Sequence, residues 1–277
     1  MKKNGTSHWI SQGYEQVTGK AGYLMQEVFQ EIFVESSLDH TMQPSLFLPA
    51  KGEGKRPLLV GLHTWSADRF NQVEKMPPLA RKRDFHLLLP EFRGPNLVDN
   101  PKGTEACGSV LAKQDIVDAI QYVIANREVD PEQIFLLGAS GGGHMALMMA
   151  GYAPELFQAI GAFVPICNLE DWAEENASYR PHILSCCSND PEEMKARSPI
   201  SYLDKIAEAN LKIFHGKYDP LVPVSQSLKL YAKLFEKHPR CRVFLDIFDG
   251  GHEIDYEAAL YWLFSQYEEK EKGSVTG

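Results

Sequence analysis

The chain has 277 residues, 44% of them hydrophobic and 23% charged, with a formal net charge of −9. That composition is ordinary for a globular protein able to bury a sizeable core, and its acidic balance excludes nucleic acid and anionic membrane as main partners. The five cysteines (Cys107, Cys167, Cys186, Cys187 and Cys241) are odd in number and lack paired metal spacing, so reduced thiols are expected rather than a disulfide framework.

The opening stretch MKKNGTSHWISQGYEQ has two lysines but no apolar run behind them, so it does not read as a signal peptide. No window approaches a membrane span, and a cytoplasmic location is expected. EVFQEIFVES and PSLFLPA read as antiparallel strands at one edge of a sheet. Apolar runs follow at 57–63, 85–92, 133–138, 159–166, 211–216 and 242–248. Most lack strict alternation, as strands covered on both faces of a parallel sheet do. Between them lie helical segments. Ile116, Ile120, Val123 and Ile124 recur at helical intervals and the pattern stops before Asp130-Pro131. Residues 143–152 are apolar nearly all round, and EIDYEAALYWLFSQYEEKEK is a closing amphipathic helix. Alternation of strand and helix predicts one α/β domain over 1–277, its core from about 25 to 270. The loop-rich stretch 167–204 interrupts the rhythm and is expected to form a small cap or pocket wall.

One serine stands among glycines where a helix begins. Gly138-Ala139-Ser140-Gly141-Gly142 follows the strand IFLLGA and precedes the helix GGHMALMMA, which is the strand–turn–helix setting of a nucleophile elbow. Helix capping is a poor alternative, because the third residue after Ser140 is Gly143 rather than Glu or Gln. A dinucleotide fingerprint over Gly141–Ala146 would want an acid near the end of the next strand, and Glu170 falls late.

A serine hydroxyl needs a base, itself oriented by an acid. LKIFHGKYDPLVP places Asp219 just past a strand, and RVFLDIFDGGHEIDY places His252 just past the last one. The order Ser140, Asp219, His252 is that of elbow hydrolases. Asp246, Asp249 and Glu253 are local candidates to substitute for the acid. For the oxyanion, one backbone donor is expected from Gly141 and the other from the loop in LLVGLHTWSAD, with Trp65 chosen and Thr64 the alternate. His63 is expected to brace that loop. Trp172 and Tyr179, in the cap stretch, are expected beside the substrate together with Trp65. No metal spacing such as HExxH occurs, so no metal and no cofactor are expected.

GLHTW, LPEFRGPN, GASGGG, RSPISYLDKI, FHGKYDPLVP and GGHE, taken in order, resemble α/β-hydrolases of the esterase and prolyl-oligopeptidase-like (dienelactone hydrolase-like) branch over about residues 40–268. The resemblance implies a mainly parallel sheet with helices on both faces, Ser140 as nucleophile, Asp219 as orienting acid, His252 as base, and Trp65 with Gly141 as oxyanion hole. Thr64 departs from the glycine common after the early strand in that branch. Its peptidases also carry a β-propeller, for which 277 residues leave no room. The function expected is hydrolysis of a small-molecule carboxylic ester through an acyl-enzyme. A compact peptidase on short peptides, with Glu174-Glu175 holding a terminal ammonium, is the alternative; a ligand-binding relative without catalysis is a third. A homodimer is among the assemblies this reading allows.

Overall fold

The computed structural model of the chain describes residues 29–274. The expected beginning of the core, near residue 25, lies outside the described residues. Eight strands form one sheet in the order β1-β2-β4-β3-β5-β6-β7-β8. They are β1 (Gln30–Glu35), β2 (Met42–Leu48), β3 (Arg56–Gly61), β4 (His86–Pro90), β5 (Val129–Ala139), β6 (Ala159–Phe163), β7 (Leu211–Gly216) and β8 (Val243–Phe248). β2 runs antiparallel to both β1 and β4, and every pairing from β4 to β8 is parallel.

The helices are α1 (Pro77–Lys82), α2 (Val110–Asn126), α3 (Gly141–Ala150), α4 (Leu169–Glu175), α5 (Arg180–Cys186), α6 (Pro191–Ala196), α7 (Leu203–Ile206), α8 (Ser225–Lys237) and α9 (Tyr256–Ser274). Successive strand side chains alternate between two cores. Leu58, Val60, Ile134 and Leu136 face one side, with α2, α3 and α8; Leu59, Phe135 and Leu137 face the other, with α1 and α9. Covering both faces is what removes polar residues from the middle strands.

Two boundaries differ from the expectation, each for a local reason. β5 begins at Val129, not near 133, and runs through Pro131. Its pairing with β3 jumps from Arg56↔Val129 to Leu58↔Ile134, so the proline falls in the irregular stretch where no ladder N–H is required. α9 begins at Tyr256 rather than 253, because the Asp255 carboxylate accepts the Ala258 N–H at 3.0 Å and caps the helix there.

The interruption between β6 and β7 is a chain of short helices. Asn168 caps α4 by accepting the N–H groups of Glu170 and Asp171, and Asp190 caps α6. Together they enclose a third apolar cluster that includes Trp65, Cys107, Leu169, Trp172, Ile183 and Val222. All five cysteines are unpaired thiols. Among the described residues, no helix is long and apolar enough to cross a membrane.

Candidate active site

Ser140, Asp219 and His252 follow the carboxyl ends of β5, β7 and β8, and Trp65 follows that of β3. Loops at that end of a parallel sheet share one rim, which gathers four sequence-distant segments. The Ser140 backbone has φ 55° and ψ −118°, a strained conformation for a residue with a side chain. It is pinned by its own N–H donating to Phe163 O at 2.9 Å and its carbonyl accepting the His144 N–H at 2.8 Å. A Cβ on Gly138 would lie 2.1 Å from Gly142 O, which is why the turn excludes side chains there. The Ser140 hydroxyl makes no capping bond to α3, so the capping alternative fails.

Asp219 is fully buried as a side chain. Its Oδ1 accepts the Leu221 and Val222 N–H groups at 2.8 and 2.9 Å, and its Oδ2 accepts from His252 Nδ1 at 2.7 Å. Burial pushes the carboxyl pKa up, but the His252 bond and the two backbone donors outweigh it, and the net shift is downward. An ionised Asp219 requires Nδ1 to carry the imidazole proton, which leaves Nε2 with a free lone pair. Of the other acids near His252, Asp246 is engaged by Lys212 at 3.1 Å and Glu253 by the Gly251 N–H at 3.4 Å. His252 therefore takes Asp219 as its partner. Among the described residues, no hydrogen bond joins the Ser140 hydroxyl to the imidazole; such contacts often tighten only around substrate.

The Thr64 N–H donates to Asn71 Oδ1 at 3.2 Å and is spent. The N–H groups of Trp65 and Gly141 have no hydrogen-bond partner among the described residues. They are also close together: a Cβ on Gly141 would fall 2.4 Å from Trp65 N. A glycine is needed for that approach, and it leaves two unpaired donors beside Ser140. His63 braces the Trp65 loop, stacked on Phe92 at 3.8 Å with its ring nitrogens 2.9 Å from Thr64 O and 2.7 Å from Glu91 O. Burial holds its pKa down, so the neutral ring donates its single N–H to one of those carbonyls.

Of the expected substrate contacts, Trp172 is buried. Its indole donates to Leu221 O at 2.9 Å, tying the cap to the Asp219 loop, and it meets the Trp65 ring edge-on at 4.9 Å. Tyr179 lies on Trp172 at 4.7 Å and is partly exposed. Among the described residues, the buried Trp65 Nε1 has no acceptor. Glu174 is exposed, and Glu175 accepts from Gln226 Nε2 at 2.7 Å with Lys229 3.6 Å away, so the two do not form a free carboxylate pair.

One support escaped the sequence reading, and His215 is the structural neighbour of the site that its sequence suggests. Arg93, its side chain 1% exposed, pairs with Asp39, Glu105 and Asp115. It anchors the loop from which the Asn96 N–H reaches Trp65 O at 2.9 Å, fixing that peptide. His215 sits behind Asp219, its Nε2 3.6 Å from Oδ2 and donating to Val222 O at 2.8 Å, while Nδ1 accepts from Ser227 Oγ at 2.7 Å. For Arg93 the available signal was an arginine inside the motif LPEFRGPN.

The sequence pattern of the prolyl oligopeptidase family matches residues 104–267, more than half of the chain. The chain belongs to the prolyl oligopeptidase family. It is 27% identical over 244 residues to acylamino-acid-releasing enzyme 2 of Oryza sativa subsp. japonica, an alignment covering 78% of this chain and 30% of that one. It is 30% identical over 165 residues to S-formylglutathione hydrolase of Mus musculus, covering 52% of this chain and 58% of the mouse protein. A solved acylaminoacyl peptidase from Pyrococcus horikoshii shares the fold with a TM-score of 0.65 at 16% identity, over 90% of this chain and 41% of that one. The chain thus spans under a third of the length of the rice relative.

Proposed function

We propose that this family member is a serine hydrolase that cleaves short-chain carboxylic esters. The observation that carries the reading is the pair of unpartnered N–H groups, Trp65 and Gly141, brought together beside a strained Ser140. Ser140 Oγ attacks the acyl carbon while His252 Nε2 takes its proton, and the carbonyl electrons move onto oxygen. Both N–H groups donate to that oxyanion, and the buried Asp219 carboxylate stabilises the imidazolium. The C–O bond to the alcohol then breaks, and the alkoxide takes the proton from Nε2. Water enters, gives a proton to Nε2, and attacks the acyl-enzyme; collapse breaks the bond from the acyl carbon to Ser140 Oγ, which takes the proton back from Nε2 as the acid leaves.

A second reading is cleavage next to an N-acylated amino acid. The names of the acylamino-acid-releasing relatives favour it. A free N-terminus is disfavoured by the engagement of Glu175 with Gln226 and Lys229. The test compares nitrophenyl acetate, acetyl-alanyl nitroanilide and alanyl nitroanilide. The ester should have kcat/KM at least a hundredfold above the blocked amide, since amide cleavage must also overcome resonance and protonate the leaving amine. The blocked amide should exceed the free one. Equal rates on ester and blocked amide would favour the second reading, and a preference for alanyl nitroanilide would contradict both.

A further inference from the structure

Three of the five free thiols meet beneath the cap. Cys107 follows the turn Gly103–Glu105, Cys186 is the last residue of α5 and Cys187 the next, and none is more than 1% exposed. The turn and α5 pack with Cα atoms within 8 Å, and a Cβ on Gly103 would lie 3.8 Å from Cys186 Sγ. The Cys107 S–H is within hydrogen-bonding reach of both other sulfurs. Buried thiols can serve simply as small apolar groups. Here, however, the backbone is built to present one of them. Cys107 sits in the left-handed region, φ 49°, with its N–H donating to Asn96 Oδ1 at 2.8 Å. The Arg197 guanidinium donates to Ala106 O and Thr104 O, each at 3.0 Å, bracing the same segment.

We infer that Cys107 and Cys186 are a dithiol site that hydrogen peroxide oxidises to a reversible disulfide, joining the cap to the loop whose Asn96 fixes the Trp65 peptide. The hydrogen bond from Cys107 pulls the Cys186 thiol below its usual range; burial opposes this, and the Arg197 guanidinium adds to it. Hydrogen bonding to its two neighbours, together with burial, pushes Cys107 up, so Cys107 keeps its proton and Cys186 is the nucleophile. The Cys186 sulfur attacks one peroxide oxygen, the O–O bond breaks, and the departing hydroxide leaves as water with the Cys186 proton. The Cys107 sulfur then attacks the sulfenic sulfur, the S–O bond breaks, and hydroxide leaves with the Cys107 proton as a second water. Two electrons pass from the thiol pair to one peroxide. Pairing of Cys186 with Cys187 is disfavoured. The Cys187 N–H donates to Ile183 O at 2.9 Å, so the chain there is still helical, and adjacent helical side chains diverge by about 100°. Hydrogen peroxide is little larger than water, and α5 and α6, of seven and six residues, are short enough to open locally and admit it. The reaction at Ser140 plays no part in this chemistry.

The test treats the native, reduced full-length chain with millimolar hydrogen peroxide, alkylates the remaining thiols and maps the peptides without reduction. One disulfide, Cys107 to Cys186, should appear, with Cys167, Cys187 and Cys241 alkylated and the bond lost on adding dithiothreitol. In Cys107→Ser, dimedone should trap the sulfenic acid on Cys186. The oxidised wild type should unfold at least about 5 °C above the reduced protein, and deuterium uptake over residues 180–196 should slow at least tenfold. Both shifts should be absent in Cys107→Ser and in Cys186→Ala, so that one poorly folding variant leaves the other to decide. Five alkylated thiols after peroxide overturn the proposal, as does a disulfide that forms only in urea. So does a bond from Cys187 to either neighbour in place of Cys107 to Cys186, or an oxidised protein no more stable than the reduced one.

Discussion

At the scale of single residues, the account rests on where one proton sits. Asp219 is held ionised by His252 and two backbone N–H groups against the penalty of burial, and this fixes the imidazole proton on Nδ1. Asp219→Asn offers an amide of the same shape that can donate to Nδ1, which favours the tautomer with its proton on Nε2. Ester hydrolysis should fall roughly 10³–10⁴-fold in kcat, with KM little changed, measured by steady-state kinetics on nitrophenyl acetate. A near-normal rate, together with a collapse in Asp249→Asn, would move the acid elsewhere. Ser140, Asp219 and His252 were each readable from position, because each follows a strand in the order this chemistry requires. Trp65 was preferred to Thr64 in the sequence, but the physical reason, Asn71 capturing the Thr64 N–H, is a contact no local pattern announces.

Whole elements decide how those residues meet. α3 starts at Gly141 directly beneath the Trp65 loop, so the helix start and the loop share one small space. Gly141→Ala is compatible with a helix but puts a methyl group 2.4 Å from Trp65 N. The loop must retreat, and kcat should drop roughly 10²-fold, the cost of one oxyanion donor, while thermal unfolding shows a folded protein. Unchanged kcat would remove Trp65 from the oxyanion site. The strands were legible to within a few residues, because a doubly covered sheet leaves continuous apolar runs between polar turns. The cap was legible only as an interruption. Its helices are four to seven residues long, too short to show a period, and are set by caps at Asn168 and Asp190. Trp172 was read as a pocket residue from its place in that stretch. Its burial comes from packing against Trp65 and Tyr179, a tertiary fact.

For the molecule as a whole, buried histidines make acid stability a property of the fold. Burial pushes His144 down to about 4, against an opposing hydrogen bond to Arg197 O, and holds His63 and His215 below the ordinary value. Above the unfolded pKa, near 6.5, these rings are neutral folded or unfolded and cost nothing. As pH falls from there toward 4 the unfolded chain binds protons that the native one refuses, so stability is lost, by about 3 kcal/mol for His144 alone. Urea unfolding at pH 7 and pH 4.5 should show that loss, and His144→Gln should flatten it; an unchanged slope would mean the ring is charged in the native state. The central claim, however, is that Ser140 is the nucleophile, and covalent trapping tests it most directly. A fluorophosphonate probe followed by peptide mass mapping should place a single adduct on Ser140, with no labelling and no ester turnover in a folded Ser140→Ala protein. An adduct on another residue, or esterase activity surviving in Ser140→Ala, would contradict the account.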